Sequence, residues 1–174
     1  MNGRLRAIVI GAAVAAGAVA ALVPATGAQA GFGPDQYGSI VNSAARSCVD
    51  VRSEDGSDVD GARVQNYHCT GSDEQQWNER TTGRSDGSFF IVNKRSGKCL
   101  DGGEFWAKQW SCGPVSQQAW RLRAIAGAPV GTFQLVNGFG KCLTLTSGNG
   151  ADHQIMSVDT CRNDAWYGQL FEVY

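Results

Sequence analysis

Ile91-Val92-Asn93, Cys99-Leu100, Cys112 and Gln118-Ala119-Trp120 mark the stretch that decides how this chain folds, because the same landmarks occur three times in one order. Before it come Ile40-Val41-Asn42, Cys48-Val49, Cys69 and Gln75-Gln76-Trp77. After it come Leu135-Val136-Asn137, Cys142-Leu143, Cys161 and Gln169-Leu170-Phe171. A repeat with a period of about 45 residues implies one supersecondary unit per copy, each burying its apolar face only against its neighbours.

The texture inside each unit is β. Short apolar runs such as Phe89-Phe90-Ile91-Val92 and Thr132-Phe133-Gln134-Leu135-Val136 are bounded by Gly, Asp, Asn and Ser, the pattern of strands between turns. Turn signals stand at Asp55-Gly56, Asp60-Gly61, Asp86-Gly87 and Asn149-Gly150. No segment after residue 30 sustains a helical period. Three such units predict a closed, threefold β-barrel in which the first and last copies meet and no long edge is exposed. The junctions, near 82–88 and 126–131, are too short for flexible linkers, and 31–37 reads as a loose lead.

The N-terminus has Arg4 and Arg6, an apolar stretch from Ala7 to Val23, and then Ala28-Gln29-Ala30. That order is the plan of a secretory signal peptide over 1–30, cleaved after Ala30. The competing reading is an uncleaved anchor, but the stretch is short for a bilayer and rich in Ala and Gly. The domain is then 31–174, and loss of two arginines takes the formal charge from −1 to −3. An acidic balance argues against a nucleic-acid partner, and no later segment is apolar enough for membrane insertion. The expected location is extracellular.

All six cysteines lie in the domain, and an even count behind an export signal points to disulfides. There is no CxxC pair to suggest zinc. If the units are equivalent, the simplest pairing lies within each: Cys48–Cys69, Cys99–Cys112 and Cys142–Cys161. Pairing between units is the alternative.

Two units carry a more specific pattern: Cys48-Val49-Asp50 and Cys99-Leu100-Asp101, an aromatic two residues before the second cysteine (Tyr67, Trp110), and a closing Gln-x-Trp. This resembles the ricin B-chain (R-type) lectins and the similar carbohydrate-binding modules attached to bacterial xylanases, over about residues 38–174. The resemblance implies an all-β fold, a β-trefoil of three pseudo-equivalent subdomains at about 38–82, 87–126 and 131–174. It also implies binding of galactose, xylan or related glycans. Within it, Trp77, Trp120 and Phe171 are core residues first.

The resemblance assigns the sugar contacts residue by residue. In the first unit they are Asp50, Gln65 and Tyr67, with Gln75. In the second they are Asp101, Lys108 and Trp110, with Gln118. A carboxylate can accept hydrogen bonds from adjacent hydroxyls, while an aromatic ring covers the C–H face of the sugar. Departures from the family pattern are informative. Glu74 stands where an asparagine is usual, Lys108 where the first unit has Gln65, and the second unit's cysteines are only 13 positions apart. Trp106 in that short loop is an extra sugar platform or a loop plug. The third unit has Thr144 for the aspartate and Asp159 for the aromatic, which argues against a site there, and Trp166-Tyr167 reads as a packed loop, with a separate surface patch as the alternative.

Nothing in the sequence implies a cofactor, a metal or catalysis. His68 and His153 lie in no nucleophile motif, and no Gly-x-Ser-x-Gly or Walker loop occurs. Glu54, Asp55, Asp58 and Asp60 miss the EF-hand spacing and fit two Asp-Gly turns. The expected function is therefore a secreted, non-catalytic lectin with glycans as partners. The alternative is a protein-interaction trefoil with degenerate sugar sites, acting as a toxin-type binding subunit or an enzyme inhibitor.

Overall fold

The structure, a computed structural model, describes residues 36–147 and 150–174. The expected signal segment, most of the lead and Asn149 lie outside the described residues. The first unit holds β1 (Ile40–Asn42), β2 (Cys48–Val51), β3 (Val64–Tyr67) and β4 (Trp77–Thr81). The second holds β5 (Phe89–Asn93), β6 (Cys99–Asp101), β7 (Lys108–Trp110) and β8 (Trp120–Arg123). The third holds β9 (Gln134–Asn137), β10 (Lys141–Thr144), β11 (Gln154–Ile155), β12 (Ser157–Thr160) and β13 (Phe171–Val173). The helices described are single 3-10 turns of three residues, one of which precedes each closing aromatic strand.

Six strands form a ring. β1 pairs with β13, β4 with β5, β5 with β8, and β8 with β9. The remaining seams are closed by the bridges Gly38↔Trp77 and Phe133↔Phe171. Three hairpins, β2–β3, β6–β7 and β10–β12, form a second layer. They join one another through Arg63↔Lys108, Trp106↔Ser157 and the β11–β3 ladder. This is the β-trefoil expected from the repeat and the resemblance.

The closing aromatics meet in one core. Trp77, Trp120 and Phe171 are fully buried among Val49, Leu100, Leu143 and other apolar side chains. A buried indole needs an acceptor for its N–H. Trp77 Nε1 donates to Val49 O and Trp120 Nε1 to Leu100 O, each at 2.9 Å. The disulfides are Cys48–Cys69, Cys99–Cys112 and Cys142–Cys161, all within units. Each constrains the unfolded chain and contributes about 3 kcal/mol.

The asparagine of each opening motif has a role that its repetition did not reveal. Asn42 Nδ2 donates to Tyr167 O and Leu170 O in the third unit. Asn93 Nδ2 donates to Glu74 O and Gln76 O in the first, and Asn137 Nδ2 to Gly102 O in the second. All three are buried. Each unit thus holds the preceding one around the ring, and an amide at these places satisfies carbonyls that water cannot reach.

Candidate functional site

Strand geometry brings the sequence-assigned residues together. In an antiparallel pair, residues directly opposite share a face, as do residues two apart along one strand. Asp50 lies opposite Gln65 and Cys48 opposite Tyr67. Asp50, Gln65 and Tyr67 therefore share one face of the hairpin, while Val49 and Val64 turn into the core. The second unit repeats this register, with Asp101 opposite Lys108 and Cys99 opposite Trp110.

In the first unit these residues line a depression of about 250 Å³, with Glu54, Glu74 and His153 on its walls. Asp50 is buried and accepts a hydrogen bond from Gln65 Nε2 at 2.7 Å. Burial pushes the Asp50 carboxyl above the usual carboxylate range; hydrogen bonds from Gln65 and Gln75 pull it back, and the charges of Glu74 and Glu54 push it further up. Tyr67 is half-buried between His68, 4.3 Å away between ring centroids, and His153, at 4.9 Å. His68 itself turns away to Asp152, whose carboxylate takes its backbone N–H at 2.6 Å and its Nδ1 at 2.8 Å.

The second unit forms a larger depression of about 430 Å³, lined from its own residues. Asp101 Oδ1 accepts from Gly103 N at 2.9 Å and Oδ2 from Gln118 Nε2 at 3.0 Å. Each oxygen keeps lone-pair capacity for a further donor. The Lys108 ammonium lies 3.0 Å from Glu104 and 5.0 Å from the Trp110 ring centroid, so it braces the exposed indole. Glu104 is 74% exposed, and such a pair holds Lys108 only weakly. The short loop depends on two glycines: a Cβ at Gly102 would lie 2.9 Å from Asn137 Nδ2, and one at Gly103 3.1 Å from Asp101 Oδ1. Phe105 and Trp106 in this loop stand exposed, edge to face, so Trp106 is not a plug.

The third unit keeps the register but not the chemistry. Thr144 lies opposite Ser157 and Cys142 opposite Asp159. Thr144 Oγ1 donates to Cys142 O, and Ser157 Oγ donates to Asp159 at 2.6 Å. Trp166 packs over Gly168, while Tyr167 is exposed.

Gln75 and Gln118 are buried and fully hydrogen-bonded. They are 0% and 1% exposed, with both ends of the amide engaged. Gln75 Oε1 accepts from Thr70 N and Gly71 N while Nε2 donates to His68 O. Gln118 Oε1 accepts from Gly113 N, and Nε2 donates to Asp101 and Ser111 O. Gln118 thus ties the loop after the second cysteine to Asp101, while Gln75 ties the corresponding loop to the backbone before Cys69.

The acids of the first long loop are each paired with a cation. Asp55 binds Arg63, which holds its carboxyl down to about 2, Asp58 faces Arg95, and Asp60 faces Lys98. Among the described residues no cluster of His, Cys, Asp and Glu is arranged to hold a metal ion, and no helix is long and apolar enough to cross a membrane.

A family model described as ricin-type beta-trefoil lectin domain-like matches residues 29–107 and 84–158. The chain belongs to that family. This ricin-type trefoil is similar to a designed threefold-symmetric protein, ThreeFoil, at 26% identity and a TM-score of 0.68, covering 79% of this chain and 96% of that one. It is also similar to the Macrolepiota procera ricin B-like lectin in complex with lactose, at 16% identity and a TM-score of 0.62, covering 79% and 94%. A third likeness is to the Haemophilus ducreyi cytolethal distending toxin, at 13% identity and a TM-score of 0.63, covering 80% and 83%. The trefoil spans only 30% of the Clostridium thermocellum exo-beta-1,3-galactanase chain, which it matches with a TM-score of 0.69. No curated protein gives a significant sequence match. The ricin B-type fold points to carbohydrate binding.

Proposed function

We propose that this chain is a secreted, non-catalytic glycan-binding module with two sites, one built on Asp50, Gln65 and Tyr67 and the other on Asp101, Lys108 and Trp110. The observation that carries this reading is the duplicated constellation. In two units a buried carboxylate lies opposite a polar side chain, beside an aromatic ring on the same face of an open depression. Asp50 and Asp101 accept from sugar hydroxyls, Tyr67 and Trp110 cover the C–H face, and Gln75 and Gln118 hold the carboxylates in place. Shallow sites of this kind are weak singly, and two on one rigid body act together on a polymeric or clustered glycan. Galactose- and xylose-containing glycans are the first to test.

A glycan array followed by calorimetry on the wild type, Asp50→Ala, Asp101→Ala and the double variant tests this reading. Each single variant should lose avidity while its thermal unfolding stays cooperative, and the double variant should not bind. A wild type that binds no glycan but retains a protein partner through purification would favour the interaction-trefoil reading instead.

A further inference from the structure

One turn beside the first site carries an imidazole where its counterpart carries glycine. His153 donates its backbone N–H to Asn66 O, and Gly61 donates to Gln109 O, both at 2.9 Å. Asn66 and Gln109 are the equivalent residues of β3 and β7, flanked by Gln65 and Tyr67 in one and Lys108 and Trp110 in the other. The third unit thus lays its turn along the first, as the first lays its own along the second. Both turns need left-handed backbone, with φ 90° at Gly61 and 65° at His153. Glycine adopts this freely, whereas an L side chain is disfavoured there. Such a departure directs attention to what the side chain does.

The His153 imidazole reaches into the first unit's depression. Its ring meets Tyr67 edge-on, 63° between planes, and its Nδ1 lies 3.3 Å from Gln65 Oε1 and 3.6 Å from Glu54 Oε1. The proton positions follow outward from Asp50. An ionised carboxylate only accepts, so Gln65 must turn its NH2 to Asp50, at 2.7 Å. Its Oε1 then faces His153, and Nδ1 must carry the proton it donates. Asp50, Gln65 and His153 form one chain of hydrogen bonds that crosses from the first unit into the third.

We propose that His153 is a positioning residue of the first glycan site, which is therefore a joint product of two units. The inference rests on the glycan-binding reading. By holding Gln65 and the edge of Tyr67, the imidazole fixes the acceptor and the ring against which a sugar docks. The second site has no counterpart, since Gly61 presents only backbone; a Cβ there would lie 3.5 Å from the Trp110 ring.

His153→Gly gives this turn its counterpart's residue and relieves the left-handed strain, so thermal unfolding should occur no lower than in the wild type. His153→Asn tolerates left-handed backbone, and its side-chain amide places an N–H where Nδ1 stood. Lactose and xylotetraose are titrated into wild type and both variants, with Tyr67 and Trp110 ring signals followed by NMR to report the two sites separately. Loss of this one hydrogen bond should weaken His153→Gly about fivefold at Tyr67, leave Trp110 unchanged, and be largely recovered in His153→Asn. Equal affinity at Tyr67 in wild type and His153→Gly overturns the inference, as does an equal loss in both variants. Binding by the wild type at Trp110 alone also overturns it while leaving the glycan reading intact. No binding at either site overturns both.

Discussion

At the same place in the second layer, the first unit sets Asp50 against Gln65 and the third sets Thr144 against Ser157. Around this difference the frame is the same. Gln75 and Gln169 each accept from the loop after the second cysteine, at Thr70 N and Arg162 N, and each donates to a carbonyl just before that cysteine, at His68 O and Thr160 O. Gln169 Nε2 also donates to Thr144 Oγ1 at 3.0 Å, in the direction where Gln118 meets Asp101. The glutamine thus persists where the carboxylate and the aromatic are gone. Its presence reports architecture, and the residues it supports report binding.

The comparison is open to direct attack. The largest expected effect is on Asp50→Ala, which should weaken glycan binding at the first site on the order of 30-fold or more, since hydrogen bonds to a charged group are lost. Thr144→Ala should leave binding unchanged, and calorimetry on both distinguishes them. If Thr144→Ala weakens binding as much, the third unit is a working site and the contrast fails. Next is Trp77→Phe. The third unit already has Phe171 at this place, with no N–H to satisfy. In the first unit the change strands the buried Val49 carbonyl and should cost about 1–3 kcal/mol in urea unfolding.

A smaller effect should follow from Thr144→Asp combined with Asp159→Tyr, which gives the third unit the carboxylate and the ring. Weak binding, with Kd on the order of millimolar, should appear there in NMR titration. An inert graft would show that the opposing residue, Ser157 in place of Gln65, matters as much as the two restored groups.

The smallest effect is on pH dependence. Burial raises the Asp50 pKa above its unfolded value, so its protonated form favours folding. That contribution is fully present below the unfolded pKa and is lost as pH rises through the higher folded one. Asp50→Asn, which cannot ionise, should therefore gain stability over the wild type as pH rises from 3 to 7, followed by thermal unfolding. Glycan affinity at the first site should move the opposite way, falling as Asp50 takes up its proton. Thr144 has no such group to titrate, so Thr144→Val should show no pH-dependent gap.

Much of this was legible in the sequence because the repeat is local. Each unit's opening asparagine, paired cysteines and closing aromatic fix its strand positions, and period-two geometry then places Gln65 beside Tyr67 and Lys108 beside Trp110. What remained hidden is set by ring closure. His153 reaches Tyr67 from 86 positions away, through a turn whose conformation suits glycine, and no local signal marks a side chain aimed into another unit's site. Asn42, Asn93 and Asn137 were visible as a motif, but their partners lie across unit boundaries. Gln75 and Gln118 were attached to the sugar by resemblance, and the extent of their burial was not legible in the sequence. Lys108 offered a free donor in the sequence, whereas Glu104 and the Trp110 ring share its charge.

The three asparagine clasps run in a circle, and Ser39 and Tyr174 exchange backbone hydrogen bonds at its seam, at 2.8 and 3.1 Å. Seen from within the ring, that seam differs little from the joins at 82–88 and 126–131. Circular permutation is therefore open to this scaffold. With the old ends tethered, a chain recut at either join would begin with the second or third unit and still meet every clasp. Excising one unit removes one asparagine and strands another, so two of the three clasps are lost and the ring should tolerate reordering of its ends far better than removal of a part.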